Sequence, residues 1–413
     1  MTAAPFDVSP ALALDAAAGI GFGLARRALW HDGRCVWFDP TPTPLDGTPP
    51  TAVTSSGDVY SGTAGTGLFL AQLVARADDV TLRRTARGAI RQALAKAGAV
   101  MPLGFYGGVA GTAAAAILAA RELGDEEFVE PARAVLLNVP LAPADPDQSD
   151  LIGGTAGSLL ALTVASAELG DAALLARAGE AAEIVLGLAH RGDDGTFSWS
   201  TMRDNSLGHL TGFAHGSAGI AYALLSLHAV APDPALRDAI AGAIAYETGL
   251  FSAQHGNWPD LRHFGTGPRE PGYSNAWCHG AIGIVRARLL MERCGFEVSG
   301  DVDAGLRSAA AHAEILIADP AADMTLCHGL FGVLDALLDA VRSGRGDFAP
   351  AIARHVATAT ERHHHGEAPW PSGLLTREPH DGLMLGTAGI GHVYLRLADP
   401  SLVSVLAPAR VPR

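Results

Sequence analysis

The feature that most constrains the fold is a short glycine motif that recurs seven times along the chain. Each copy has the form Gly-x-x-Gly and is followed by apolar residues at helical spacing. The copies begin at Gly62, Gly108, Gly154, Gly216, Gly280, Gly329 and Gly386, and successive copies are 46 to 64 residues apart. Periods of this length are typical of proteins in which one small structural unit stacks on the next.

Each interval between copies is long enough for two helices and their connections. Amphipathic stretches such as residues 86–97 and 234–246 lie between the motifs. Glycine costs about 1 kcal/mol relative to alanine within a helix, so the close approach of a neighbouring helix or of a substrate backbone is expected to require it. We therefore predict an all-α fold, an α/α toroid in which seven inner helices are each backed by an outer one. An open solenoid of the same helix pairs is the alternative.

The composition fits a globular chain with one repetitive domain. Hydrophobic residues make up 48% of the 413 residues and charged residues 17%, which is the opposite of the balance found in disordered chains. Since no Pro/Ser-rich linker long enough to separate domains is present, we predict a single domain over residues 1–413.

Charge and hydropathy argue against two classes of partner. The net charge is −14, and phosphate binding needs a concentrated basic face, so nucleic acid is not expected as a partner. No apolar run reaches the roughly 18 residues of a membrane span, and residues 1–10 lack the basic start of a signal peptide. A cytoplasmic location is therefore expected.

Two of the four cysteines occupy equivalent positions in successive repeats. Cys278 and His279 directly precede the fifth motif, and Cys327 and His328 directly precede the sixth. A single Cys-His pair would be interpreted as a buried small side chain, but two equivalent pairs indicate a metal site. Thiolate and imidazole ligands suit zinc.

The metal site has two possible forms. All four side chains could close a structural Cys₂His₂ site, or three ligands could leave one coordination position open for catalysis. Adjacent residues at a helix start point in different directions, so the three-ligand form is favoured. Cys35 and Cys294 lie outside the repeated position and are expected to be structural.

Several segments together carry a resemblance to a known family. They are residues 150–157, 212–219, 256–262, 277–280, 327–329 and 382–389, with residues 30–37 near the start. In these segments the chain resembles the lanthionine synthetase cyclase (LanC-like) family, and most of all the cyclase domain of the fused, two-domain synthetases of the LanM type.

The resemblance implies a set of site residues. It implies an α/α toroid that binds one zinc ion through Cys278, Cys327 and His328, with an acid–base histidine at His215 and an aspartate beside it at Asp150. The implied reaction adds cysteine thiols of a dehydrated precursor peptide to dehydroalanine or dehydrobutyrine, which forms lanthionine or methyllanthionine. The fused synthetases carry a large N-terminal dehydratase that this sequence does not show. A separate dehydratase is therefore the expected partner, and the alternatives are that the sequence is a fragment or belongs to an orphan homologue.

The implied residues suit this chemistry. A thiol bound to zinc is deprotonated, and since Cys278 and Cys327 already cancel the charge of the ion, a third thiolate from substrate stays electron-rich. His215, with an ordinary pKa near 6.5, would protonate the enolate that follows attack, and an ionised Asp150 nearby would raise that pKa. The structural alternatives are a buried core histidine and a helix cap.

One departure and several rival functions stay open. Many cyclases of this family carry an arginine four residues before the first zinc cysteine, where this chain has Ser274. His279 is expected either to orient a ligand or peptide or to be a structural neighbour. The rivals are addition of a small thiol such as glutathione to dehydroamino acids, a non-catalytic peptide-binding protein with structural zinc, and another toroid enzyme. A glycosidase would need a carboxylate pair, which the repeats lack.

Overall fold

A computed structural model of the chain describes residues 8–40, 52–98, 101–143, 145, 147–262, 270–366, 368–372 and 380–409. The described part is mostly helical, with fourteen α-helices and three small antiparallel sheets of two strands each. The all-α fold class is therefore confirmed. None of the helices in these ranges is long and apolar enough to cross a membrane. Residues 1–7, which entered the signal-peptide argument, lie outside the described part.

Seven of the helices each begin at the residue directly after the first glycine of a motif, and most of these are buried along nearly their whole length. They are α2 (Thr63–Ala77), α4 (Val109–Leu123), α6 (Thr155–Leu169), α8 (Ser217–His228), α10 (Ala281–Arg293), α12 (Leu330–Arg342) and α14 (Thr387–Ala398).

The other seven helices alternate with these along the chain, and their exposed faces carry most of the charged residues. They are α1 (Pro10–Arg27), α3 (Val80–Lys96), α5 (Val129–Asn138), α7 (Ala172–Gly187), α9 (Pro234–Leu250), α11 (Ser299–Ala318) and α13 (Ala349–His363), with a short 3₁₀ helix at Glu126–Phe128. The strands are β1 (Leu29–His31) paired with β2 (Arg34–Val36), β3 (Phe38–Pro40) with β4 (Ala52–Thr54), and β5 (His190–Arg191) with β6 (Phe197–Ser198).

The chain divides into two compact units. The first comprises Met1–Ala99, Thr112–Val135 and Ala313–Ser404, and the second Val100–Gly111, Leu136–His312 and Val405–Arg413. In the first unit α2 packs on α3, α12 on α13 and α14 on α1; in the second, α6 packs on α7 and α8 on α9. The single domain over residues 1–413 stays a prediction.

Main-chain hydrogen bonds join the turns that precede successive motifs in the second unit. The amide of Phe105 donates to the carbonyl of Leu151 at 2.9 Å, and the amide of Leu151 donates to Ala214 at 3.2 Å. Ala214 in turn donates to the carbonyl of Cys278 at 3.1 Å. Residues at the same position, or at positions one residue apart, in consecutive repeats are therefore direct neighbours within this unit.

The second glycine of each motif is required by its own turn. A Cβ atom at this position would lie between 1.5 and 2.3 Å from the carbonyl oxygen six residues earlier in all seven copies. At Gly219, for example, it would lie 1.8 Å from the carbonyl oxygen of Phe213. The chief obstacle is thus the preceding turn of the same repeat. We had expected a neighbouring helix or a substrate backbone to exclude a side chain at this position. That prediction was wrong about the main cause of the exclusion.

We predict opposite effects for two glycine-to-alanine changes in helices. Gly219→Ala should lower the free energy of unfolding by about 3 kcal/mol, because the turn before α8 must move away from the new methyl group. Gly179→Ala, in α7, should be neutral or stabilise by up to about 1 kcal/mol, since nothing lies within 4 Å of its Cβ position. Urea and thermal unfolding followed by circular dichroism measure both. Equal effects of the two changes would contradict the explanation.

Candidate active site

Cys327 is held in place by the backbone of its own unit and by a tyrosine. Its thiol is fully buried, and its amide donates to the carbonyl of Met384 at 3.0 Å. The hydroxyl of Tyr60 donates to Cys327 Sγ at 3.0 Å. Tyr60 lies two residues before the first motif, at the position that Cys327 occupies before the sixth. Tyr60 was not among the predicted site residues, although its place in the repeat register is a signal that points to it.

His328 turns its ring back towards the neighbouring cysteine. Its Nε2 atom lies 3.4 Å from Cys327 Sγ, and its Nδ1 atom lies 4.0 Å from a carboxylate oxygen of Asp323. The side chain is 46% exposed, whereas Cys327 is buried. The carboxylate on the Nδ1 side favours the tautomer that leaves Nε2 free to bind a metal ion.

Cys278, Cys327 and His328 form a cluster that fits a zinc ion. One donor atom from each residue lies within 4.8 Å of the other two. Zn–S distances of about 2.3 Å and Zn–N distances of about 2.0 Å in tetrahedral geometry place a sulfur and a nitrogen ligand roughly 3.5 Å apart. The separation of 3.4 Å between Cys327 Sγ and His328 Nε2 agrees with this value. The assignment of these residues as zinc ligands stays a prediction.

His279, which follows Cys278, does not belong to this cluster. Its ring is buried and stacks on the ring of His215 at 5.7 Å, with an angle of 21° between the planes. Within the described residues, neither ring nitrogen has a hydrogen-bond partner, and the carboxylate of Asp260 lies 4.0 Å from Nδ1. Burial lowers the pKa of His279 to about 4, and the charge of Arg262 adds to this effect. The imidazole is therefore neutral near pH 7.

His215 and Asp150 form a direct pair. His215 Nδ1 lies 2.5 Å from Asp150 Oδ2, so the N–H group at Nδ1 donates a hydrogen bond to the carboxylate. Nε2 is then the ring atom that can exchange a proton with a substrate. Burial lowers the pKa of His215, but the hydrogen bond and charge of Asp150 outweigh it and raise the pKa above its ordinary value. The pair therefore favours a protonated imidazole at higher pH than a free histidine would.

Asp150 also stabilises the turn before its own motif. Its Oδ1 atom accepts hydrogen bonds from the amides of Gly153 and Gly154, at 2.8 and 3.1 Å. Asp58, at the same position in the first repeat, caps its turn in the same way. The second oxygen of Asp58 accepts a hydrogen bond from Ser56, not from a histidine. The capping role and the contact with His215 thus use different oxygens of Asp150.

A guanidinium group lies close to Ser274. The hydroxyl of Ser274 is 3.4 Å from Asp260 Oδ2, and Asp260 binds Arg262 through both oxygens, at 2.9 and 2.6 Å. The positive charge of Arg262 acts to lower the pKa of His215 and of His279. Arg262 was not among the predicted site residues, because the folding of the segment around Asp260 brings it here and the repeat register does not predict that.

Fourteen helices that alternate along a glycine repeat, together with a Cys₂His cluster, define a helical-repeat protein with a candidate metal centre. The model of the lanthionine synthetase C-like protein family matches residues 54–407, and the chain belongs to this family. Closeness to the cyclase domain of fused synthetases stays a prediction.

Comparison with solved structures shows the fold. Nisin cyclase matches with a TM-score of 0.64 at 18% sequence identity, over 86% of this chain and 92% of that one. The chain thus has the α/α toroid fold that was expected from the repeats. Among curated proteins, no sequence matches this chain.

We predict that Cys327→Ala removes zinc from the purified protein. The change deletes a sulfur donor from the cluster, and two remaining ligands hold zinc poorly. The matched control is Cys294→Ala, because this half-buried cysteine lies outside the cluster. Metal content by inductively coupled plasma mass spectrometry should fall from one zinc per chain to nearly none in the first variant only, with helical content unchanged in both. Zinc retained by Cys327→Ala would contradict the ligand assignment.

Proposed function

We propose that this protein forms thioether bonds in a dehydrated precursor peptide. A cysteine thiol of the peptide adds to the β-carbon of dehydroalanine or dehydrobutyrine, which gives lanthionine or methyllanthionine. The cluster of Cys278, Cys327 and His328 is the observation that supports this most, in a chain of the lanthionine synthetase C-like family. A separate dehydratase would supply the substrate, and the reducing cytoplasm would keep its cysteines as thiols.

The cluster would prepare the nucleophile. Zinc bound by these residues would supply one effect, the deprotonation of the substrate thiol near pH 7. A free thiol with a pKa of about 8.5 is only a few per cent ionised at that pH. The two cysteine thiolates balance the charge of a divalent ion, so the substrate sulfur keeps its electron density. Outside the cluster, Tyr60 donates a hydrogen bond to Cys327, and the carboxylate of Asp323 lies 4.0 Å from His328 Nδ1.

His215 would complete the reaction as the general acid. The new C–S bond at the β-carbon moves the double-bond electron pair onto the neighbouring carbonyl as an enolate. His215 Nε2 then donates its proton to the α-carbon. The proton that the thiol lost returns to His215 by way of solvent, so the overall addition neither gains nor loses a proton. Asp150 keeps Nδ1 protonated and supports the imidazolium form. The amide of Ala214, next to His215, donates to the carbonyl of Cys278, which brings the acid close to one cluster residue.

The proposal is tested with a synthetic peptide that carries one dehydroalanine and one cysteine. Ring closure leaves the mass unchanged, so the product is detected as the peptide that no longer reacts with N-ethylmaleimide. Zinc-loaded protein should close the ring, and His215→Ala should retain zinc but lose about a hundredfold or more in rate. His312→Ala, in α11, is the histidine control.

Two results of this experiment would support other functions. If glutathione adds to a dehydroalanine peptide without cysteine and the cysteine peptide stays linear, the protein is a small-thiol transferase. If neither thiol reacts while zinc is tightly held, the metal is structural and the protein binds peptides without catalysis.

We predict that Asp150→Asn shifts the pH dependence of the rate. A general acid acts when protonated, so activity falls as the pH rises through the pKa of His215. Without the carboxylate charge that pKa drops, and the falling limb should move by about one pH unit to lower pH. The asparagine oxygen can still cap the turn through Oδ1. Asp58→Asn, which changes the equivalent cap of the first repeat, should leave the pH profile in place, and a shift of equal size there would contradict the pairing.

A further inference from the structure

We propose that Glu247, on α9, is a positioning residue for His215. Its buried carboxylate, paired with Arg288, fixes the turn that carries the histidine. This inference rests on the proposed role of His215 in proton transfer, and it extends the machinery of the reaction to residues that do not touch the substrate.

One oxygen of Glu247 joins both ends of the His215 turn. Glu247 Oε1 accepts a hydrogen bond from the amide of Gly212 at 3.0 Å and from the amide of Ala218 at 2.9 Å. These two amides lie three residues before and three residues after His215. A single acceptor therefore sets the path of the chain on each side of the histidine.

The fourth repeat has no carboxylate of its own at the position from which Asp58 and Asp150 cap their turns. The first and third repeats place Asp58 and Asp150 four residues before the first motif glycine, where each caps its own turn. In the fourth repeat that position is Gly212, which has a φ of 104°. A Cβ atom there would lie 2.9 Å from the carbonyl oxygen of Cys278, so no side chain fits. The carboxylate of Glu247, from a different helix, instead binds two other amides of this turn, those of Gly212 and Ala218.

The second oxygen of Glu247 is fixed by charge. Arg288 Nη2 donates to Glu247 Oε2 at 3.0 Å, and both side chains are fully buried. Arg288 Nε also donates to Asp301 Oδ2 at 3.0 Å, and the indole of Trp258 donates to the main-chain carbonyl of Glu247 at 2.9 Å. A buried carboxylate with a fixed cationic partner holds its geometry more rigidly than an exposed one would.

The position of this turn also determines which side chains surround the imidazole of His215. Asp150 contacts Nδ1, the ring of His279 stacks on the imidazole, and the charges of Cys278 and Arg262 act on it. Each of these relations depends on the position of the main chain between the two amides that Glu247 binds. Loss of the carboxylate should therefore loosen the contact with Asp150 before it affects the metal cluster.

The test compares three changes of Glu247 with a control ion pair. Glu247→Gln keeps one oxygen acceptor, Glu247→Asp withdraws the carboxylate by one methylene, and Glu247→Leu removes it. Asp335→Asn is the control, because the buried carboxylate of Asp335 contacts Arg396 and Ser404 in the first unit. The protein is labelled with ¹³C-histidine, and the His215 signal is assigned with His215→Ala. Its titration is followed with and without zinc, beside zinc content, thermal stability and kcat.

We expect Glu247→Leu to bring the titration of His215 back towards that of an ordinary histidine and to lower kcat about a hundredfold at unchanged zinc content. Glu247→Asp should give a smaller change in the same direction, and Glu247→Gln should restore the titration. Asp335→Asn should lower the melting temperature and leave His215 unaffected. Should Glu247→Leu fail to fold, Glu247→Asp decides.

Two results would overturn the proposal. One is a His215 titration that stays as in the wild type in both Glu247→Leu and Glu247→Asp. The other is an equal change in Asp335→Asn, which would show a general loss of stability instead of positioning. Because the titration needs no substrate, it tests the position of His215 even if the protein proves inactive on dehydrated peptides.

Discussion

The close approach between the second glycine of each motif and the carbonyl six residues earlier is the contact on which the rest of the structure depends. It forces the chain into a tight turn directly before each buried helix, and it leaves no room for a side chain. The same turn recurs seven times, so residues just before the motif are placed in nearly the same way in each repeat. In the second unit, main-chain hydrogen bonds then bring these positions side by side, as between Ala214 and Cys278.

The chemistry of His215 results from opposing influences of its surroundings. Burial and the charge of Arg262 favour the neutral ring, whereas Asp150 favours the charged one and prevails. His279, one repeat further on and stacked against it, has its described carboxylate neighbour, Asp260, 4.0 Å away, and burial lowers its pKa. The pKa values of two histidines at equivalent positions are thus shifted in opposite directions, because Asp150 is hydrogen-bonded to His215.

Local periodicity predicted a large part of this molecule. The motif spacing predicted the seven buried helices and their partners. The repeated positions singled out the pairs Cys278–His279 and Cys327–His328, and the family resemblance indicated Cys278, Cys327 and His328 among them. Local periodicity could not predict Glu247 or Arg262 as neighbours of the site, because neither stands at a repeated position, whereas Tyr60 occupies in the first repeat the position that Cys327 has in the sixth. The physical reason for the glycines was also missed, since a clash with the preceding turn depends on backbone geometry that a sequence does not display.

The equivalence of the turns has a consequence for how such a protein can change. The two residues directly before each motif lie on a turn that their own repeat forms. The other six repeats each form the same turn for themselves. The second position before a motif is occupied by tyrosine, isoleucine, alanine, cysteine or methionine in this one chain. The turn before the buried helix nevertheless recurs in each repeat. New reactivity can therefore arise in one repeat by exchange of a single residue, without redesign of the architecture that supports it.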